Sequence, residues 1–261
     1  MIWGMREKMR IALTKSGAAI FTLIAMCWPF VICDGLATEP VPFVGCGGDG
    51  QTGPVAAPKG DPRVVDVDAA DARKLAYYQA SDFPGVLAPK GWHCFYRYGS
   101  SGGTLLVAPI SDIEKMSDAR LDSPAVVVSL SFGGTSGRFA VAMSAARLYP
   151  QEEREFIKRV IDEAIVPKED FRFGPYPGDI LTYRNARIAE FTTPANQEGL
   201  GTSGRLAKSS QPIYGIVALL GPSEEPDLLT LTVRLPPEMR RLRSTIIANF
   251  EPIDRQADPQ R

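Results

Sequence analysis

AVVVSLSFGGTSGRFAVAMSAARLYPQEEREFIKRVIDEAI, residues 125–165, is the stretch on which the fold turns. Ala125 to Phe132 is an apolar run of strand length, rich in the β-branched residues that suit a pleated surface. Gly133-Gly134 starts a turn, and Phe139 to Ala145 is read as the returning strand, which predicts a hairpin. Pro150 then opens a helix through Ile165. Phe156, Ile157, Val160, Ile161, Ala164 and Ile165 recur there at helical spacing. Proline suits a first turn, where its missing N–H would be unpaired anyway, and Pro167 lies just past the end.

The same order recurs near the C-terminus. Ile213 to Leu220 and Leu228 to Arg234 read as strands joined by a turn that begins Gly221-Pro222-Ser223. Pro236-Pro237 opens a second helix, with Met239, Leu242, Ile246, Ile247 and Phe250 on one face. Between the two units, Ile180 to Thr192 supplies a strand or hairpin, and Ala195 to Gln211 a long polar loop. Gly134-Thr135-Ser136-Gly137-Arg138 returns as Gly201-Thr202-Ser203-Gly204-Arg205, but at a different point of the second unit. Upstream, Asp68 to Ala80 predicts a helix with Asp68 as N-cap. Trp92 to Tyr98 alternates as a strand, Gly99 to Gly103 is a turn, and Thr104 to Ala108 is a short buried strand. Ser111-Asp112-Ile113-Glu114 fits a capping box. The expected fold is α+β: a mainly antiparallel sheet with amphipathic helices packed on it, built from two related strand-hairpin-helix units. Residues 63–251 form that single domain, after a Gly/Pro-rich arm at 38–62 and before a flexible tail at 252–261.

The N-terminus sets the address. Arg6, Lys8, Arg10 and Lys15 form a basic leader, Gly17 to Cys33 is apolar, and Gly35 and Ala37 are small. That order predicts a signal peptide, residues 1–37, cleaved near Ala37-Thr38. A retained anchor is the alternative, but the apolar core is shorter than the roughly 20 residues of a comfortable span. A lipid anchor at Cys27 or Cys33 would need a small preceding residue, where Met26 and Ile32 stand. The mature chain is therefore expected in the periplasm or secreted, with no integral membrane span.

Beyond the leader the chain carries 25 basic and 28 acidic residues, net −3, so no broad positive field exists to draw nucleic acid. Arg240, Arg241 and Arg243 read as a solvated helix face. Two cysteines remain, Cys46 and Cys94, and an even pair in an oxidising compartment predicts a disulfide. Closing a loop of this length adds about 4 kcal/mol in the chain-entropy account. The bond would pin an arm in which Pro40 to Pro62 holds six glycines and five prolines.

The ending of strand, proline, amphipathic helix and Phe250 resembles the close of Mog1/PsbP-like domains, which implies a binding or assembly scaffold. Gly85-Val86-Leu87-Ala88-Pro89-Lys90-Gly91-Trp92-His93-Cys94 resembles exported bacterial proteins of unassigned role. His93-Cys94, Cys46-Gly47-Gly48 and a downstream Gly-Thr-Ser-Gly resemble chymotrypsin-like serine proteases. By motif, that resemblance implies His93 as general base, Ser203 or Ser136 as nucleophile and Asp112 as orienting acid. The match departs where Ser203 is preceded by Thr202 and followed by Gly204-Arg205-Leu206.

His93 is the one histidine in the chain, which removes any site needing two imidazoles and argues against zinc. Asp66, Asp68 and Asp71 hint at calcium, yet an EF-hand's sixth and twelfth positions hold Asp71 and Tyr77 instead of glycine and glutamate. The glycine runs lack a P-loop lysine or a dinucleotide fingerprint, so no cofactor is expected. Trp92, His93, Tyr96 and Tyr98 are the candidate ligand groove, because tyrosine and tryptophan join apolar faces to polar edges. The expected role is a non-catalytic envelope binding or assembly factor whose partner is an envelope protein or a small ligand. A periplasmic hydrolase using His93 with Ser203 or Ser136 is the alternative.

Overall fold

Alternation of side chains about an extended backbone sorts the central strands onto two faces, and the fold is built on that sorting. The structure, a computed structural model, describes residues 38–252. The expected signal peptide and, apart from Pro252, the expected tail lie outside the described residues. In chain order, strands β1 (Thr38–Val41), β2 (Phe43–Gly45), β3 (Gly48–Gly50) and β4 (Arg63–Asp66) precede helix α1 (Ala69–Ala72). Strands β5 (Leu75–Gln79), β6 (Val86–Pro89), β7 (His93–Gly99) and β8 (Gly102–Ala108) come next. Helix α2 (Ile113–Met116), strand β9 (Ala125–Ser131) and helices α3 (Arg138–Leu148) and α4 (Arg154–Asp162) follow. The chain continues with β10 (Ile180–Asn185), β11 (Ile188–Thr193), β12 (Ile213–Leu220), β13 (Asp227–Arg234) and α5 (Leu242–Ala248).

An eight-stranded sheet runs in the order β10-β11-β12-β13-β9-β8-β7-β3, and a three-stranded sheet in the order β2-β5-β6. Pairing is antiparallel except where β3 meets β7 and β2 meets β5. A separate ribbon joins β1 to β4. Leu105, Val107, Val126, Val128, Leu229, Leu231 and Val233 belong to one buried cluster. It also takes Leu75, Tyr78, Val86 and Leu87 of the small sheet and Leu242 and Ile246 of α5. The intervening Leu106, Ala108, Ala125 and Val127 join a second cluster with residues of α3 and α4. A period of two thus gives the large sheet two apolar faces.

Three elements differ from expectation. Phe139 to Ala145 is not a returning strand but lies within α3. Its buried residues, Val141, Ala142, Ala145, Ala146 and Leu148, follow a helical stripe, and alanine is the best helix former. β9 instead pairs with β8 and β13, so the middle unit does not repeat the order of the C-terminal one. Asp68 does cap a helix, its carboxylate accepting from the amides of Ala70 and Asp71. That helix stops at Ala72, however, and Leu75–Gln79 is strand, because pairing with β6 buries Leu75, Ala76 and Tyr78. At α2 the N-cap is Asp112 rather than Ser111, and no side chain caps it.

Two further helices start later than their prolines. α4 begins at Arg154, four residues past Pro150, and Pro237–Met239 is a 3₁₀ turn before α5. The Gly/Pro-rich arm is built into the fold through β1, β2 and β3. Among the described residues no helix is long and apolar enough to cross a membrane.

Candidate functional site

β7 positions the expected groove residues, and its alternation divides them. Cys94, Tyr96 and Tyr98 share one face, while His93, Phe95 and Arg97 take the other. Trp92 and Tyr96 pack against the first core cluster. The Tyr96 ring lies 4.5 Å from that of Phe83 and stacks on Tyr98 at 5.4 Å. The Tyr98 hydroxyl donates to the Gly53 carbonyl and lies 2.9 Å from the Thr52 hydroxyl. These aromatics are engaged with the protein itself. His93 is exposed on the opposite side.

The Cys46–Cys94 disulfide is present. Cys46 is the residue at which the chain leaves β2 in the small sheet and enters β3 in the large one. β3 can approach only because it is nearly side-chain-free: a Cβ on Gly48 or Gly50 would collide with the backbone of Tyr96 or Tyr98. Glycine serves close approach here rather than flexibility.

His93 and Ser136 are held apart by the sheet register. His93 pairs with Ala108 at one end of β8, whereas Ser131 pairs with Gly102 at the other. Six residue steps make that about 20 Å, and Ser136 follows the Ser131 end. The Ser203 hydroxyl donates to the Leu200 carbonyl at 2.7 Å inside a 3₁₀ turn. Asp112 pairs with Lys115 at 3.3 Å. Two of the three aspartates that hinted at calcium are occupied: Asp68 caps α1, and Asp71 accepts from the Thr245 hydroxyl and faces Arg241. Among the described residues no group of three or more histidine, cysteine, aspartate or glutamate side chains could hold a metal ion.

No protein family, curated protein or solved structure matches this chain.

The repeated Gly-Thr-Ser-Gly stretch has a structural role at 201–204. Asp179 accepts from the hydroxyl of fully buried Thr193 at 2.6 Å and from the Leu200 amide at 2.8 Å. Thr193 in turn accepts from the Gly201 amide. Sequence reading missed this clasp, because nothing in the spacing of Asp179 and Thr193 names their partners. Asp179→Ala should lower stability by about 2 kcal/mol, since it orphans a buried hydroxyl and an amide. Asp179→Asn, which keeps an acceptor oxygen, should lose less. Thermal unfolding of both variants measures the difference.

Charge concentrates at two places. On the His93 face, Asp118 lies 2.6 Å from Arg97 and 3.4 Å from Arg205. The Arg97 hydrogen bond holds its carboxyl below the usual range, although so exposed a pair adds little stability. At the start of α4, an open cleft of about 560 Å³ is lined by Glu152, Glu155, Arg159, Ser223 and Glu224. Glu153, also in its lining and 1 % exposed, faces Arg187 at 3.1 Å. Burial pushes the Glu153 carboxyl up, Arg187 pulls it down, and Glu152 and Glu224 push it further up.

Proposed function

We propose that this is an exported bacterial protein, acting in the periplasm or outside the cell as a non-catalytic binding or assembly factor. The disulfide carries the reading. Cys46 and Cys94 are the two cysteines left once a signal peptide is removed, and such a bond persists where the compartment is oxidising. A net charge of −3 beyond the leader supports a protein or small-ligand partner over nucleic acid.

The non-catalytic reading draws on the placement of His93, Ser136, Ser203 and Asp112, each engaged elsewhere or standing apart. The amphipathic α4 and α5 beside an antiparallel sheet suit a rigid scaffold of the Mog1/PsbP kind. Phe173, Ile180 and Tyr183, exposed along one stretch of chain, offer apolar contact area of the sort partners cover.

Crosslinking in intact cells, followed by mass spectrometry of the purified mature chain, tests the reading. A reproducible envelope partner on a chain that starts at Thr38 is expected. Covalent labelling of Ser203 by a fluorophosphonate would overturn the non-catalytic reading, and a start at Met1 would overturn cleavage. Thiol titration of the denatured, unreduced protein should find no free thiol on Cys46 or Cys94.

A further inference from the structure

We propose that residues 43–60 form a strap that a dithiol releases as a unit, opening the β7 edge of the large sheet while the rest of the protein stays folded. The topology supplies the mechanism. β2 is the terminal strand of the small sheet and β3 the terminal strand of the large one. Lifting both away breaks no pairing between any other strands. The ladder from Thr38↔Asp66 to Val41↔Arg63 closes the base of the strap, so it hinges there and remains attached at both ends.

Little besides the disulfide locks the strap down. β3 is Gly-Asp-Gly and brings no apolar side chain to the core. The second core cluster contains no strap residue, and the strap's fully buried contribution to the first is Cys46 itself. The remaining ties are short ladders and polar contacts: β2 pairs with β5 and β3 with β7, half-buried Val44 packs against the first core cluster, Tyr98 bonds Gly53 and Thr52, and the Ser100 amide donates to the Gln51 side chain. The Cys46 amide donates to the Gln79 carbonyl, the Tyr96 amide to Gly47, and the Gln51 amide to Tyr98. Asp49 lies 3.7 Å from Arg97 in an exposed pair, which adds little. Phe43 meets Tyr77 with ring centres 6.5 Å apart. Backbone bonds through glycine also carry the largest entropic cost of ordering. An unpaired β7 edge, flanked by Tyr96 and Tyr98, is the kind of edge that accepts another strand.

The chemistry is thiol–disulfide exchange with an external dithiol. Its thiolate bonds to the sulfur of Cys94, the more accessible of the two, and the Cys46 sulfur leaves and takes up a proton. The second thiol of the reagent then displaces Cys94. The strap is reduced by two electrons and the reagent is oxidised to its own disulfide.

The test is amide hydrogen exchange on the full chain, oxidised against dithiothreitol-treated, with the Cys46→Ser/Cys94→Ser variant as a reductant-free counterpart. Release of the strap predicts that the amides of Cys46, Gln51 and Tyr96 exchange about tenfold faster or more. Those of β8, β9 and β13 should keep their protection. Unchanged exchange at Cys46, Gln51 and Tyr96 after reduction would overturn the proposal, because the strap would then hold without its bond. Loss of protection across β9 and β13, or failure of the double variant to fold, would overturn it too, because the disulfide would then support the whole fold.

Discussion

Arg234→Ala should cost about 4 kcal/mol of stability, read as a lower urea midpoint with unchanged slope. Arg234 ends β13 with its side chain fully buried. Its Nε donates to Ser123, and Nη2 to Leu121 at 2.6 Å and to Ser123 at 2.9 Å. Nη1 donates to Ala207 at 2.7 Å and to the Ser209 hydroxyl. A guanidinium has five N–H donors, and here each has an acceptor, three of them main-chain carbonyls of two loops. Burial holds its basicity below the usual arginine value, so the charge is tolerated only through these bonds. Removing the side chain leaves the carbonyls of Ser123 and Ala207 without their donor, at about 1–3 kcal/mol each before relaxation, while the Leu121 carbonyl keeps the Ala207 amide. Arg234→Lys should recover part of the loss, because one ammonium cannot span both loops. A loss below about 1 kcal/mol for the alanine variant would show that the two loops hold themselves.

Arg187→Ala should destabilise by about 3 kcal/mol at neutral pH, with the loss shrinking as pH falls. Arg187 reaches from the turn between β10 and β11 to Glu153 before α4, and also donates to the Gly221 carbonyl. The contact is electrostatic rather than well aligned: both Glu153 oxygens, and Nε and Nη2 of Arg187, are buried without a hydrogen-bond partner. A carboxyl raised above its ordinary value favours the neutral form in the fold. The wild-type protein therefore loses stability as pH rises from the ordinary glutamate range through the raised value, and is level above it. Without Arg187 the carboxyl rises further, so the variant continues to lose stability toward higher pH. Unfolding midpoints near pH 4.5 and pH 7 should converge at the acid end. Adding Glu153→Gln to Arg187→Ala should restore stability at pH 7. A loss that does not vary with pH would mean the pair is spatial neighbours only.

Much of the large sheet was legible in the sequence. β8, β9, β12 and β13 are apolar runs of strand length bounded by glycine, proline or serine, and each lies within a residue or two of its expected span. β7 alternates as expected, Asp68 caps its helix, and Cys46 pairs with Cys94. The two misread elements, α3 and β5, share one cause. Phe139 to Ala145 is apolar enough for a strand, and Leu75 to Gln79 continues a capped helix plausibly. Short apolar stretches take their form from what they pair with. The candidate site was less legible still. Nothing in the chain says that Tyr98 reaches Gly53, that Asp179 clasps Thr193, or that Arg234 serves loops on both sides of it.

The amino-acid order by itself determined what depends on neighbours a few residues apart: strand and helix periods, caps, the cysteine pair and the basic-apolar-small leader. Only the tertiary structure decided that the glycine-rich arm closes two sheet edges and that Asp71, Glu153 and Arg234 are buried charges. Those outcomes rest on contacts between residues distant in sequence. A hydrogen-bond donor or a close glycine approach has no periodic signature, and its partner is set only when the sheets have assembled.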